Sequence, residues 1–122
     1  MNDRLSTGKL GEDAVARYLV KQGYFVVTRN YHATQGHHEE IDIIACNGRY
    51  LAFVEVKTRK KGTALPAPFS VNEKKQRRLF DCAQLFLLAH TSYSCYQPRF
   101  DVACVTVQDG AVDQIDYYQN AF

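Results

Sequence analysis

The chain has 122 residues, 46% of them hydrophobic and 23% charged, which suits one domain with a real core and leaves too little for two. A formal net charge of +2 points to no particular partner, and no apolar run approaches the ~20 residues of a membrane helix. The opening "MNDRLSTGKLGED" has no apolar h-region, so we expect no secretory signal, no membrane partner and a cytoplasmic location.

The spacing of Leu10, Ala14, Val15, Tyr18 and Leu19 predicts a first helix within "STGKLGEDAVARYLVKQGY", with Ser6 or Thr7 as its cap and Gly23 in the left-handed position after its end. The β-branched and aromatic run "YFVVTRNY" (24–31) reads as a strand, and the polar "HATQGHH" after it as a loop. "EEIDIIACNGRYLAFVEVKT" reads as a hairpin of two apolar strands turned by Asn47-Gly48. Pro66 and Pro68 keep the next loop extended. "SVNE" then forms a capping box, Ser70 capping and Glu73 reaching back, at the start of a helix running to about His90. "RFDVACVTV" (99–107) is a strand that Asp109-Gly110 turns into a last one, "AVDQIDYY". The order α-β-β-β-α-β-β makes residues 1–122 a single α/β sandwich, a mixed sheet with flanking helices.

Cys46, Cys82, Cys95 and Cys104 are scattered with no CxxC pair, and the histidines at 37–38 have no zinc-like spacing to a partner. The thiols are expected to be reduced and mostly buried, and no structural zinc is expected.

The hairpin raises the functional question. In "FVEVKTR" (53–59) an acid and a base, Glu55 and Lys57, interrupt an apolar strand, and buried charge is costly unless paired or bound to a metal. An Asn47-Gly48 turn sets Asp42 opposite Phe53 and Glu40 opposite Glu55, so Glu40, Asp42, Glu55 and Lys57 share one face. Asp42 and Glu55 are then diagonal neighbours roughly 7–8 Å apart, able to converge on one cation. Oxygen donors favour Mg²⁺ or Mn²⁺ over zinc. Glu39 and His37 or His38, in the loop, read as solvated. Charge is also unevenly spread. Residues 57–78 hold eight of the fifteen basic residues and one of the thirteen acids, a net +7 against −5 elsewhere, as in a patch that meets a polyanion.

Asp42 followed by Glu55-Val56-Lys57 resembles the D…(D/E)-x-K signature of restriction-endonuclease-like nucleases. More widely, "GKLGEDAVARYLVKQGY", "RNY", "EEIDIIA", "FVEVKTR", "VNEKKQRRL" and "RFDV" resemble the YraN-like family of small bacterial proteins in that superfamily, from Gly8 to Val102. Two positions depart from the pattern: Glu39 stands where a glycine is usual, and Ile41 where the superfamily motif often has proline. The resemblance implies a restriction-endonuclease-like fold and catalytic positions at Glu12, Asp42, Glu55 and Lys57. Glu12, on the first helix, corresponds to an acid similarly placed in archaeal Holliday-junction resolvases.

The implied chemistry is phosphodiester hydrolysis. Asp42 and Glu55, with Glu12 in direct or water-bridged contact, would hold Mg²⁺ or Mn²⁺, which lowers the pKa of a bound water. Lys57 would orient that water or stabilise charge on the phosphate. Lys60, Lys61, Lys74, Lys75, Arg77 and Arg78 would hold backbone phosphates, giving binding by shape rather than base sequence. Structured or branched DNA is the expected substrate, and a two-fold homodimer would suit cleavage of both strands. Two other classes compete: a nucleic-acid-binding module that keeps the nuclease fold without cutting, and an interaction subunit whose acids and Lys57 form a structural charge network. The intact Asp42, Glu55 and Lys57 favour the nuclease over the idle module.

Overall fold

Apolar residues on both sides of the central strands require two covering layers, and the two helices supply them. In the computed structural model, which describes residues 3–33, 40–63 and 71–122, the order is α1 (Asp3–Lys21), β1 (Phe25–Tyr31), β2 (Ile41–Asn47), β3 (Tyr50–Lys60), α2 (Glu73–Ala89), a single 3-10 turn (Thr91–Tyr93), β4 (Gln97–Gln108) and β5 (Ala111–Tyr118). The strands form one sheet in the order β1-β2-β3-β4-β5. The β3–β4 pair is parallel and the other pairs are antiparallel. A parallel neighbour needs a crossover, and α2 lies in it. The expected α/β sandwich with the order α-β-β-β-α-β-β is the fold observed.

On one face Val15 and Leu19 of α1 pack on Ile43, Ala45, Ala52, Val54, Ala103 and Val105. On the other, Leu79, Cys82, Ala83 and Phe86 of α2 cover Ile44, Leu51 and Phe53. Each large side chain buried this way contributes about 1.5–3 kcal/mol. Cys82 and Cys104 are buried as expected, Cys46 is partly so, and Cys95 is exposed. Among the described residues no helix is long and apolar enough to cross a membrane.

Local signals fared unequally. Gly23 takes φ +94 after α1, as expected, while α1 itself begins at Asp3, so Ser6 and Thr7 lie inside it rather than capping it. Helix α2 is capped by Asn72, whose side chain accepts from the Lys75 N–H at 2.8 Å. Glu73 is therefore the first helical residue, not the reaching arm of a box, and Ser70 lies outside the described residues, as do Pro66, Pro68, His37, His38 and Glu39. Asp109 and Gly110 both have positive φ, 51 and 76, the conformation a type I′ hairpin demands. In the β2–β3 hairpin the two turn residues are Gly48 and Arg49, with Asn47 paired to Tyr50. Positive φ occurs at Gly48, at 58, where glycine tolerates it at no steric cost. The turn therefore sits one residue later than expected, and the strand pairing moves by two.

One polar cluster is fully enclosed. Asp101 is 0% exposed. It accepts from Arg99 Nε at 2.9 Å and a second Arg99 nitrogen at 2.9 Å, from the Tyr117 hydroxyl at 2.6 Å and from the Asn120 N–H at 3.0 Å. Arg99 also donates to the Tyr24 hydroxyl and lies over the Tyr24 and Tyr50 rings. The cluster ties β4 to β5 and to the start of β1.

Candidate active site

The ladder between β2 and β3 reaches Ile43↔Val54, and β3 then continues to Lys60 paired with β4. Past Val54 no described residue continues the ladder on the β2-facing edge of β3, and its backbone donors need another partner. The N–H of Val56 finds the Asp42 carboxylate, donating to Oδ2 at 2.8 Å. Asp42 thus sits in the fork between the two strands. There it lines a cleft of about 540 Å³ with Gly8, Glu12, Val56, Thr58 and Lys60.

Helix α1 reaches the fork because of Gly11. A β-carbon there would lie 2.0 Å from Thr58 Oγ1, so only glycine lets the helix press this closely on β3. Glycine inside a helix costs about 1 kcal/mol relative to alanine. The close approach brings the next residue, Glu12, over the cleft.

The expected single acidic face needs correction. Ile41 packs in the α2-side cluster, while Asp42 lines the cleft on the α1 side with Val56. Glu55 points the other way and pairs with Lys75 of α2 at 3.2 Å. The register sets Asp42 level with Glu55 rather than Phe53, one step beyond Ile43↔Val54. The two acids therefore approach across the free edge of β3 instead of standing diagonally on one surface. Glu40 is drawn to His32 at 2.8 Å, and Glu12 to Arg29 and Asn30 of β1. Lys57 is partly buried with no ion pair among the described residues. Its charge is felt at Cys104, where it opposes the rise that burial gives the thiol pKa.

The electrostatics centre on Asp42. Burial, then the charge of Glu55, push its carboxyl up to about 7, with Glu12 and Glu40 adding to the rise and the Val56 N–H opposing it. Four acids thus share a small region with too little positive charge at its centre. Among the described residues no three acidic, histidine or cysteine side chains are already gathered into a metal cage. The residues nevertheless suit a hard divalent cation: all donors are oxygen, and the innermost acid has no cationic partner among the described residues. Asp42, Glu55 and Glu12 could hold it, Glu12 through the oxygen that Arg29 and Asn30 do not contact and Glu55 once it leaves Lys75.

A pH dependence follows from the raised pKa of Asp42. An unfolded aspartate ionises near 3.9, and Asp42 in the fold near 7. Below about pH 4 the group is protonated in both states and costs nothing. Between about 4 and 7 the unfolded chain loses the proton first, so stability falls as pH rises, by at most about 1.4 kcal/mol per unit. Denaturant unfolding in a chelator should show this slope in the difference between wild type and Asp42→Asn. Parallel profiles for the two proteins would show that Asp42 ionises alike in the folded and unfolded chain.

The basic residues divide. Lys60 is exposed between the site cleft and a larger one of about 900 Å³, bounded also by Lys61, Gly62 and Gly110. Lys61 reaches Asp113 at 3.5 Å. Lys74, Arg77 and Arg78 are exposed on the first turns of α2, and Lys75 is held by Glu55.

Comparison with known proteins gives the lineage. Residues 11–105 match the family described as "Uncharacterised protein family UPF0102". The chain belongs to that family. UPF0102 proteins from Desulfosudis oleivorans (40% identical, 100% of this chain and 94% of the relative), Alkaliphilus metalliredigens (42%, 96% and 97%) and Rhodococcus opacus (38%, 100% of each) match it nearly end to end. The family covers Glu12, Asp42, Glu55 and Lys57, and it also covers two site residues to which sequence reasoning gave no role, Arg29 and Asn30. Their signal was the "RNY" segment that carried part of the resemblance.

Proposed function

We propose that this UPF0102 chain is a Mg²⁺- or Mn²⁺-dependent endonuclease with a restriction-endonuclease-like fold, hydrolysing phosphodiester bonds in structured or branched DNA. The observation that carries the reading is Asp42: a half-buried acid, set in a strand fork against a backbone N–H, with desolvation first and neighbouring acids second holding its proton on to about pH 7. A structural carboxylate would be matched by a cation, as Asp101 is by Arg99. Asp42 is matched by acids.

In this reading Asp42, Glu55 and Glu12 hold the cation, which when bound offsets phosphate charge and lowers the pKa of a water. Lys57, free of any ion pair among the described residues, orients that water or meets charge growing on the phosphate. Lys60 and Lys61 on one side, and Lys74, Lys75, Arg77 and Arg78 on the other, hold the backbone to either side of the site. Two copies about a two-fold axis would serve both strands. The runner-up is a binding module that cuts nothing, and one observation favours it: Glu55 is already bonded to a basic side chain, Lys75.

The test is a cleavage panel of branched, flapped, single-stranded and duplex substrates with Mg²⁺ and Mn²⁺, run beside binding at several salt concentrations. The nuclease reading expects metal-dependent cleavage that Asp42→Asn abolishes. Binding without cleavage would hand the protein to the runner-up. In either case alanine at Lys74, Lys75, Arg77 and Arg78 should flatten the salt dependence, by about 0.9 in log K against log salt for each phosphate left without its cation. An unchanged slope would take that patch out of the interface.

A further inference from the structure

We propose that Arg29 and Asn30 are positioning residues for Glu12, anchoring one carboxylate oxygen so that the other is presented as a metal ligand. The inference rests on the metal-site reading above and adds the part that fixes its helix-borne acid.

Within "RNY", Tyr31 packs on Phe86 at the α2-side core, whereas Arg29 and Asn30 are not core residues. Asn30 lies within β1 between the pairs Arg29↔Ile43 and Tyr31↔Ile41, and so stands level with Asp42. Its φ is 53, left-handed, a region uncommon for residues other than glycine and one in which asparagine is enriched. In a strand such a residue breaks the regular ladder. In this one, Asn30 Nδ2 donates to Glu12 Oε1 at 3.0 Å.

Arg29 meets the same atom. Its Nε donates to Glu12 Oε1 at 2.9 Å, and a terminal nitrogen lies 2.8 Å from Oε1 while also donating to Asp13 at 2.6 Å. Every one of these contacts falls on Oε1, and none among the described residues falls on Oε2. A carboxylate that serves only to clasp a helix to a strand gains by offering both oxygens to a guanidinium fork. Here Asp13 supplies the second acceptor for Arg29, which spares Oε2. Glu12 is 15% exposed and lines the cleft with Asp42. Metal ligands held at one atom by a neighbour's hydrogen bond, with the other atom left for the ion, are the usual way a protein fixes ligand orientation.

The experiment is Mn²⁺ titration of the full-length protein by calorimetry, with thermal melting in chelator as control. Asn30→Gly keeps the left-handed backbone and removes only the amide, so it should melt in chelator within a few degrees of wild type. Its Mn²⁺ affinity should fall about tenfold, the range for losing a ligand's supporting hydrogen bond. Arg29→Gln should fall further, and Arg29→Lys should recover part of the loss. In a Glu12→Gln background, Asn30→Gly should make no additional difference. Wild-type affinity in Asn30→Gly, with Glu12→Gln impaired, would overturn the positioning role and leave the metal site standing. An additive loss in the double variant would also overturn it. A wild type that takes up no Mn²⁺ would remove this inference together with the reading beneath it.

Discussion

Lys57→Met is expected to reduce single-turnover cleavage of a branched substrate at least a hundredfold while leaving the melting temperature nearly unchanged. Loss of one electrostatic or proton-transfer group typically costs a factor of about 10²–10³. The stability side follows from its surroundings. If Lys57 existed to compensate Glu55 and Glu40, its loss would leave both acids without a counter-charge and lower stability, by on the order of 3 kcal/mol were the pair fully buried. Those acids have other partners, Lys75 and His32, and Lys57 has no ion pair among the described residues. Methionine keeps most of the stem and its packing. DNA affinity should barely move, since one cation among many is removed. The measurement pairs thermal melting with single-turnover kinetics. A variant that melts early yet cuts at the wild-type rate per folded molecule would make Lys57 structural.

Asp101→Ala should be the most destabilising of the changes considered, by about 3–5 kcal/mol, the usual cost of removing one partner from a buried ion pair. The substitution leaves the Arg99 guanidinium, 8% exposed, without its counter-charge, and strips acceptors from Tyr117 and the Asn120 N–H. Tyr117 offers a second readout. Burial, the charge of Asp101 and the hydrogen bond to it all raise the phenol pKa, so Asp101→Ala should bring it down in a spectrophotometric titration. Replacing both partners with apolar residues of similar volume should cost less than Asp101→Ala alone. Urea unfolding of the two variants decides it, and a single variant within about 1 kcal/mol of wild type would contradict the account.

Much of this architecture is written in local sequence. Val15 and Leu19 recur at helical spacing, Asp109-Gly110 can adopt two positive φ values in succession, and Asp42 and Glu55-Val56-Lys57 lie on adjacent strands whichever turn is used. The rest depends on interactions that adjacent residues do not carry. Asn47-Gly48 and Gly48-Arg49 are both good hairpin turns, and the choice between them moved Asp42 from Phe53 to the level of Glu55. Asn72 and Ser70 are both capable caps, two residues apart. That Ile41 would pack toward α2 and Asp42 toward α1 reflects the end of the β2–β3 ladder, which no alternation pattern signals. The partners of the acids were equally hidden, because Arg29 and Lys75 are set against Glu12 and Glu55 by tertiary packing. In "RFDV", opposite charges two residues apart in an apolar strand were visible, and their burial as a pair was not.

The contact between Lys75 and Glu55 has a consequence for the order of events in the proposed reaction. Lys75 belongs to the proposed phosphate-binding helix start and Glu55 to the proposed cation site, and the two are paired with each other at 3.2 Å. A phosphate that draws Lys75 away leaves Glu55 in want of a cation, and a cation that engages Glu55 returns Lys75 to the polyanion. Thermodynamic reciprocity makes the two enhancements equal. Nucleic acid would then complete the site that cuts it, and away from nucleic acid the protein would hold its metal at its weakest.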